Sequence, residues 1–367
     1  MPDNASFGTV RPSSLRQPHP GARRPRLVPM STAAHSPADS GLAESGLRPL
    51  TVLTAAEAAS RAAAHAAAVR ERTAAHLERR ARGEKHPVED FLFTYYPFTP
   101  GQMAAWHPGA GTAVEAPGAA EGATSGADGA AFVAELAARK WYARYTESGL
   151  PLIAMDRETW CAARGSGALF IRDLLARTLG REGTFGCFGL HEWAMVYRQT
   201  DEEHRHAQVP FRLSREETDA VVEGHRIRCS HFDAFRFFTP EAKPRNELSP
   251  ARETMREMEQ PGCLHGGMDL YKWAMKLGPA VPSAVTLAAF DLARDIRTLD
   301  MEASPYDVRG WGYGAVAIET PEGKAEYVRR QRAFAARGND IRRDLLAALE
   351  PALGSALEPA PDGLPAR

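Results

Sequence analysis

Apolar residues recur at helical spacing through much of the chain, with capping and turn residues where helices should start and stop. Phe170, Leu174, Leu175 and Leu179 share one face of a helix predicted over about residues 157–179, closed by Gly180 and Gly183. Val285, Ala289, Leu292, Ile296 and Leu299 form a second stripe over 283–300. Thr54-Ala55-Ala56-Glu57 reads as a capping box opening a helix to about Gly83, and Ser214-Arg215-Glu216-Glu217 as another opening a short helix that yields near Gly224. Helices are also predicted at 264–277, at 322–349 after Pro321, and from Ala130 through Trp141 and Tyr145. Ile227 to Phe232 reads as extended, and the pattern as a whole predicts a mainly α protein, a single helical domain with a few short strands.

Composition divides the rest. Residues 1–49 are rich in Pro, Ser, Gly, Arg and Ala and read as a disordered tail, since they cannot bury enough apolar surface to offset the entropy of ordering. Residues 50–349 are expected to form the helical domain, interrupted by a flexible insertion at 108–129, and 350–367 to form a disordered C-terminal tail. Lys+Arg of 45 against Asp+Glu of 46 leave a formal net charge of -1, so no overall field attracts nucleic acid or an anionic membrane. No apolar run approaches the roughly 20 residues of a membrane span. Cys161, Cys187, Cys229 and Cys263 lack CxxC spacing and suggest reduced thiols in a cytoplasmic protein.

Candidate chemistry concentrates in three motifs, Leu190-His191-Glu192-Trp193, Ser230-His231-Phe232-Asp233 and Leu264-His265-Gly266-Gly267-Met268-Asp269. Each sets an imidazole beside a carboxylate. In an extended segment His231 and Asp233 point to one face, and on a helix His265, Asp269 and Lys272 stack along one face. Brought together, these groups form the inventory of a two-histidine, one-carboxylate metal site, with His191, His231 and His265 as ligands of a single iron, zinc or manganese ion. Without metal, Asp233 or Asp269 can orient water while His231 and His265 polarise it. The plainer alternative is that the histidines are hydrogen-bonded to neighbouring acids and only fix chain geometry. Neither HExxH nor a calcium loop is present.

Three longer strings carry a family likeness: Glu84-Lys85-His86-Pro87-Val88-Glu89-Asp90-Phe91-Leu92-Phe93-Thr94-Tyr95-Tyr96, His265 through Met275, and Asp291 through Asp307 followed by Glu319-Thr320-Pro321-Glu322-Gly323-Lys324-Ala325-Glu326-Tyr327. From about residue 50 to 349 the chain resembles actinobacterial proteins labelled 3-methyladenine DNA glycosylase. The resemblance implies DNA repair by hydrolysis of the N-glycosidic bond of alkylated purines, with damaged DNA as partner and no cofactor. On that reading Asp269, Asp233, His265 and His231 are the catalytic candidates, Trp273, Tyr271 and Phe232 stack on the base, and Lys324, Arg329 and Arg330 meet phosphates. No Leu-Pro-Gly-Val-Gly hairpin with a downstream acid is present. A metal-dependent oxygenase or hydrolase of a small metabolite and a non-catalytic helical scaffold are the competing expectations.

Overall fold

A computed structural model describes residues 51–116, 126–199 and 209–354. The tail expected at 1–49 lies outside the described residues, as do 355–367 of the expected C-terminal tail. Twelve α-helices and four strands are seen among the described residues, the mainly α class that the periodicity predicts.

The long helices fall close to their predicted positions: α1 (Ala55–Ala81), α5 (Arg157–Leu179), α10 (Leu264–Leu277), α11 (Ser283–Glu302) and α12 (Pro321–Leu353). The Thr54 hydroxyl accepts from the Glu57 N–H, and Glu57 reaches back to the Thr54 N–H, so α1 starts where the capping box requires. Ser214 and Glu217 repeat the arrangement at α7 (Arg215–Glu223). The remaining helices are short: α2 (Phe91–Tyr95), α3 (Pro100–Ala104), α4 (Gly126–Ala138), α6 (Leu190–Ala194), α8 (Phe232–Phe235) and α9 (Met255–Met258).

The α10 helix is the axis of the core, packed against α5, α11 and α12. Apart from Lys272, Met275 and Lys276, all its residues are buried. Burying its Leu, Met, Tyr and Trp side chains contributes about 1.5–3 kcal/mol each. Gly266 and Gly267 permit the close packing, since a Cβ on Gly267 would stand 2.6 Å from Ile296 Cδ1 of α11. This crowding brings His265 and Asp269 into the interior.

Three local expectations are corrected. Residues 112–115 lie in a strand, β2 (Thr112–Glu115), with Ala113 and Val114 fully buried, and Gly126 opens α4; only 117–125 of the expected insertion fall outside the described residues. The helix expected through Trp141 and Tyr145 ends at Ala138. Its successors are β3 (Tyr142–Glu147) and β4 (Leu150–Met155), joined by Ser148 and Gly149 at φ 51° and 80°, the positive φ pair that a two-residue hairpin loop demands. With β1 (Thr51–Leu53) these make a sheet of order β1-β2-β4-β3, parallel only at β1/β2. Finally, α12 continues through residues 350–353 of the expected C-terminal tail, burying Ala352 and Leu353.

Candidate functional site

The three histidine motifs converge. The rings of His191 and His265 meet edge-on with centroids 4.4 Å apart, and those of His265 and His231 lie 5.4 Å apart. All three side chains are buried. They come from the first turn of α6, the residue before α8 and the first turn of α10, so helix starts aim them at a common centre.

His231 caps α8, and Asp233 lies inside that helix. The expected extended segment holds at Ile227, which bridges Asn246, and at the extended backbone of His231, but gives way to helix at Phe232, so His231 and Asp233 do not share a strand face. Asp233 turns outward to Arg236 at 3.1 Å and lies 3.6 Å from Lys272. The acid beside His231 is Asp269, at 3.3 Å from His231 Nε2. Asp269 also accepts from the Tyr96 hydroxyl at 2.9 Å and is bonded by Lys272. Burial raises its carboxyl, but Lys272 and His231 together outweigh burial and hold it well below the usual carboxylate range.

On the other side, His191 Nε2 donates to Asp300 Oδ1 at 2.8 Å. Arg297 Nη1 donates to Asp300 Oδ2 at 3.0 Å and to Glu192 Oε1 at 2.9 Å, and its guanidinium lies 3.9 Å over the Phe91 ring. Burial opposes charge on His191, yet Asp300 prevails and raises it well above its ordinary value. His265 goes the other way, pushed well below by burial and by the neighbouring His191.

Sequence reasoning missed three members of this site. Glu259, one residue beyond α9, is fully buried with Oε2 3.9 Å from His231 Nε2. Its side chain lies against Gly266, where a Cβ would come within 3.2 Å of it. Burial raises its carboxyl above the usual range. Arg297 and Asp300 were also overlooked, although their charges adjoin Ile296 and Leu299 of the apolar stripe, which is the signal that betrays them.

Some buried polar atoms have no hydrogen-bond partner: both ring nitrogens of His231, Glu259 Oε2 and the Tyr271 hydroxyl. Such groups in a core call for a ligand, ion or water. Among the described residues, the one donor trio lying wholly within 4.8 Å is His191, Glu192 and Asp300. There Arg297 already neutralises both acids, so a cation would have to displace a guanidinium. A cavity of about 10 Å³ adjoins the centre, lined by His191, His265, Cys187, Cys229, Cys263 and Tyr327 among others. A larger one, about 310 Å³, lies between α1, α2 and α11 and is lined by Arg72, Arg79, Arg294, Arg297, Phe93 and Tyr313 among others.

The expected base-stacking residues do not form an open platform. Tyr271 and Trp273 are core residues, Tyr271 packing edge-on against Tyr96, Phe98 and Phe290, while Phe232 is half-buried. Of the expected phosphate contacts, Arg329 pairs with Glu326, Arg330 with Glu302, and Lys324 lies 5.8 Å over Phe188. No helix among the described residues is long and apolar enough to cross a membrane. Comparison with protein-family models, with curated proteins and with solved structures gives no match.

Proposed function

We propose that the chain is a metal-dependent enzyme acting on a small metabolite, its ion held by His231, His265 and Glu259. The observation that carries this reading is the buried His231 ring, with no hydrogen bond at Nδ1 and with Nε2 3.3 Å from Asp269 Oδ2 and 3.9 Å from the unpartnered Oε2 of Glu259. Two imidazoles sharing an ion at about 2.1 Å place their ring centroids about 4.5–5.5 Å apart, and His231 and His265 stand at 5.4 Å. Their donor atoms do not yet lie within 4.8 Å as a trio, so binding closes the set by small side-chain rotations. Asp269, on the same ring nitrogen of His231 as Glu259, would be a further candidate ligand, and Asp300 would act from outside the set through His191.

Two histidines and one carboxylate suit iron or zinc and leave positions for water and substrate. The bound ion would lower the pKa of water or polarise a substrate oxygen.

Elemental analysis of wild type beside His265→Ala and Glu259→Gln tests the reading. One equivalent of metal in wild type, lost in both variants, is expected; iron directs the search to oxygenation and zinc to hydrolysis. Metal-free wild type that also takes up no iron, zinc or manganese on reconstitution would overturn it.

Glycosylase activity, implied by the resemblance, is the second reading, favoured by the ionised Asp269 beside His231. Space weighs against it: about 10 Å³ holds roughly one water, and a flipped purine needs far more. Base release from alkylated DNA, abolished by Asp269→Asn, is its test.

A further inference from the structure

We propose that Cys187, Cys229 and Cys263 together hold a thiophilic divalent ion, zinc in the first instance, with His191 as its fourth ligand. The site lies beside the His231, His265 and Glu259 set and stands whether or not that set takes an ion.

The sequence already pairs thiol with imidazole. Of four cysteines in 367 residues, three precede the histidine motifs: Cys187 stands four residues before His191, and Cys229 and Cys263 stand two before His231 and His265. The fold then brings these three to one place. Cys187, Cys229 and Cys263 all line the cavity of about 10 Å³, and His191 and His265 share its wall. Space for roughly one water is space for one ion. Cys161, by contrast, lies on α5 and donates to the Ala352 carbonyl at 3.3 Å.

Each thiol is carried on backbone that is already fixed. The Cys187 carbonyl accepts from the Leu190 N–H at 2.9 Å across a turn in which Phe188 and Gly189 are both left-handed, at φ 49° and 70°. A side chain held in that region is strained, and such strain gathers at binding sites. Asn246 clamps Cys229, accepting from its N–H at 2.7 Å and donating to its carbonyl at 2.9 Å. Cys263 caps α10, its N–H on the Gln260 carbonyl at 3.1 Å.

A second observation comes from the same wall. Buried Gln331 donates Nε2 to the Gly262 carbonyl at 2.7 Å and has no partner at Oε1. An ion in the cavity, or a water carried on it, would meet that oxygen.

Three thiolates and one imidazole make a closed tetrahedral zinc set, and sulfur ligands select zinc over magnesium or calcium. His191 suits the fourth position because its Nε2 is tied to Asp300 at 2.8 Å, the carboxylate support that orients metal-bound histidines. Thiolates on one zinc stand about 3.8 Å apart. The three sulfurs do not lie within 4.8 Å as a trio, so loading turns the thiols inward over their fixed backbone. The ion then joins the entries to α6, α8 and α10, the segments that also carry the three histidines.

The test is titration of chelator-stripped, reduced full-length protein with cobalt(II), read as the near-ultraviolet sulfur-to-cobalt charge-transfer band. An ion held by imidazoles and carboxylates alone gives no such band, so this site and the one proposed above are read apart. The band is expected to saturate at one equivalent in wild type, in Cys161→Ser and in Glu259→Gln, and to need at least about tenfold more cobalt in Cys187→Ser, Cys229→Ser and Cys263→Ser. A second measurement needs no variant: zinc should slow iodoacetamide alkylation of the half-buried Cys187 and Cys263 by about tenfold or more and leave Cys161 unchanged, by peptide mass mapping. Absence of the band in wild type, a band unaffected by all three serine variants, or no zinc protection of Cys187 and Cys263 would each overturn the proposal. Loss of the band in Glu259→Gln would also overturn it, by making the thiols part of the other ion's set.

Discussion

Arg297 Nη1 lies 2.9 Å from Glu192 Oε1, joining α11 to α6 across 105 residues of chain, and donates in the same position to Asp300. One guanidinium thereby compensates two buried carboxylates. Removing it leaves charge in the core that water cannot reach. Arg297→Met is expected to cost about 3–5 kcal/mol, measured by urea unfolding. Arg297→Lys should recover only part, because an ammonium stacks poorly on Phe91. A loss under 1 kcal/mol for the methionine variant would show that the network is not structurally coupled.

Tyr96 and Tyr271 touch edge-on but differ in what their hydroxyls do. Tyr96 donates to the ionised Asp269, whereas the buried Tyr271 hydroxyl has no partner. Tyr96→Phe should therefore cost about 1.5–3 kcal/mol, and Tyr271→Phe should be neutral or stabilising by up to about 1 kcal/mol. Equal losses in the two variants would contradict the assignment.

Gly267 and Ile296 form a steric pair. Gly267→Ala gains about 1 kcal/mol of helix propensity, but its methyl meets Ile296 Cδ1, and overpacking costs about 1–3 kcal/mol. Ile296→Val removes the obstructing atom at a cost of about 0.5–1.5 kcal/mol. The double variant is expected to be more stable than the sum of the two singles. Simple additivity in a double-mutant cycle would mean that the helices do not meet there.

Asp90 ties α1 to the segment before α2 through Arg79, His76 and the His86 N–H. Burial raises its carboxyl, but the Arg79 and His76 bonds prevail and leave it below its ordinary value. The unfolded chain then takes up the proton first as pH falls, so the stabilisation is present above the unfolded pKa of about 3.9 and is lost as pH drops through the folded value. Asp90→Asn should be less stable than wild type above about pH 5, with the gap narrowing below about pH 4. A gap independent of pH would reject the ionic account.

The long helices were legible because each carries a complete apolar face or a capping box, and local pattern suffices for those. Strand β2 was not, since Thr112 to Glu115 are bounded by glycine, alanine and proline and become a strand only through pairing with β1 and β4. The histidine motifs pointed to the site, but their partners were hidden. Glu259 stands as an ordinary acid among Met258, Gln260 and Pro261, and only its burial against Gly266 gives it a role. Asp300 was out of sight because it reaches His191 across 109 residues of chain.

The convergence of α6, α8, α10 and α11 also bears on how the centre is acquired. No contiguous fragment shorter than the span from His191 to Asp300 contains the three histidines and their acids, and loop-closure entropy must be overcome before any of them benefits from the others. Assembly is consequently a late event that reports on the folding of the whole helical core. In a chain cut short of Asp300, His191 lacks its carboxylate partner, and the imidazoles and acids of the centre are not all present to meet.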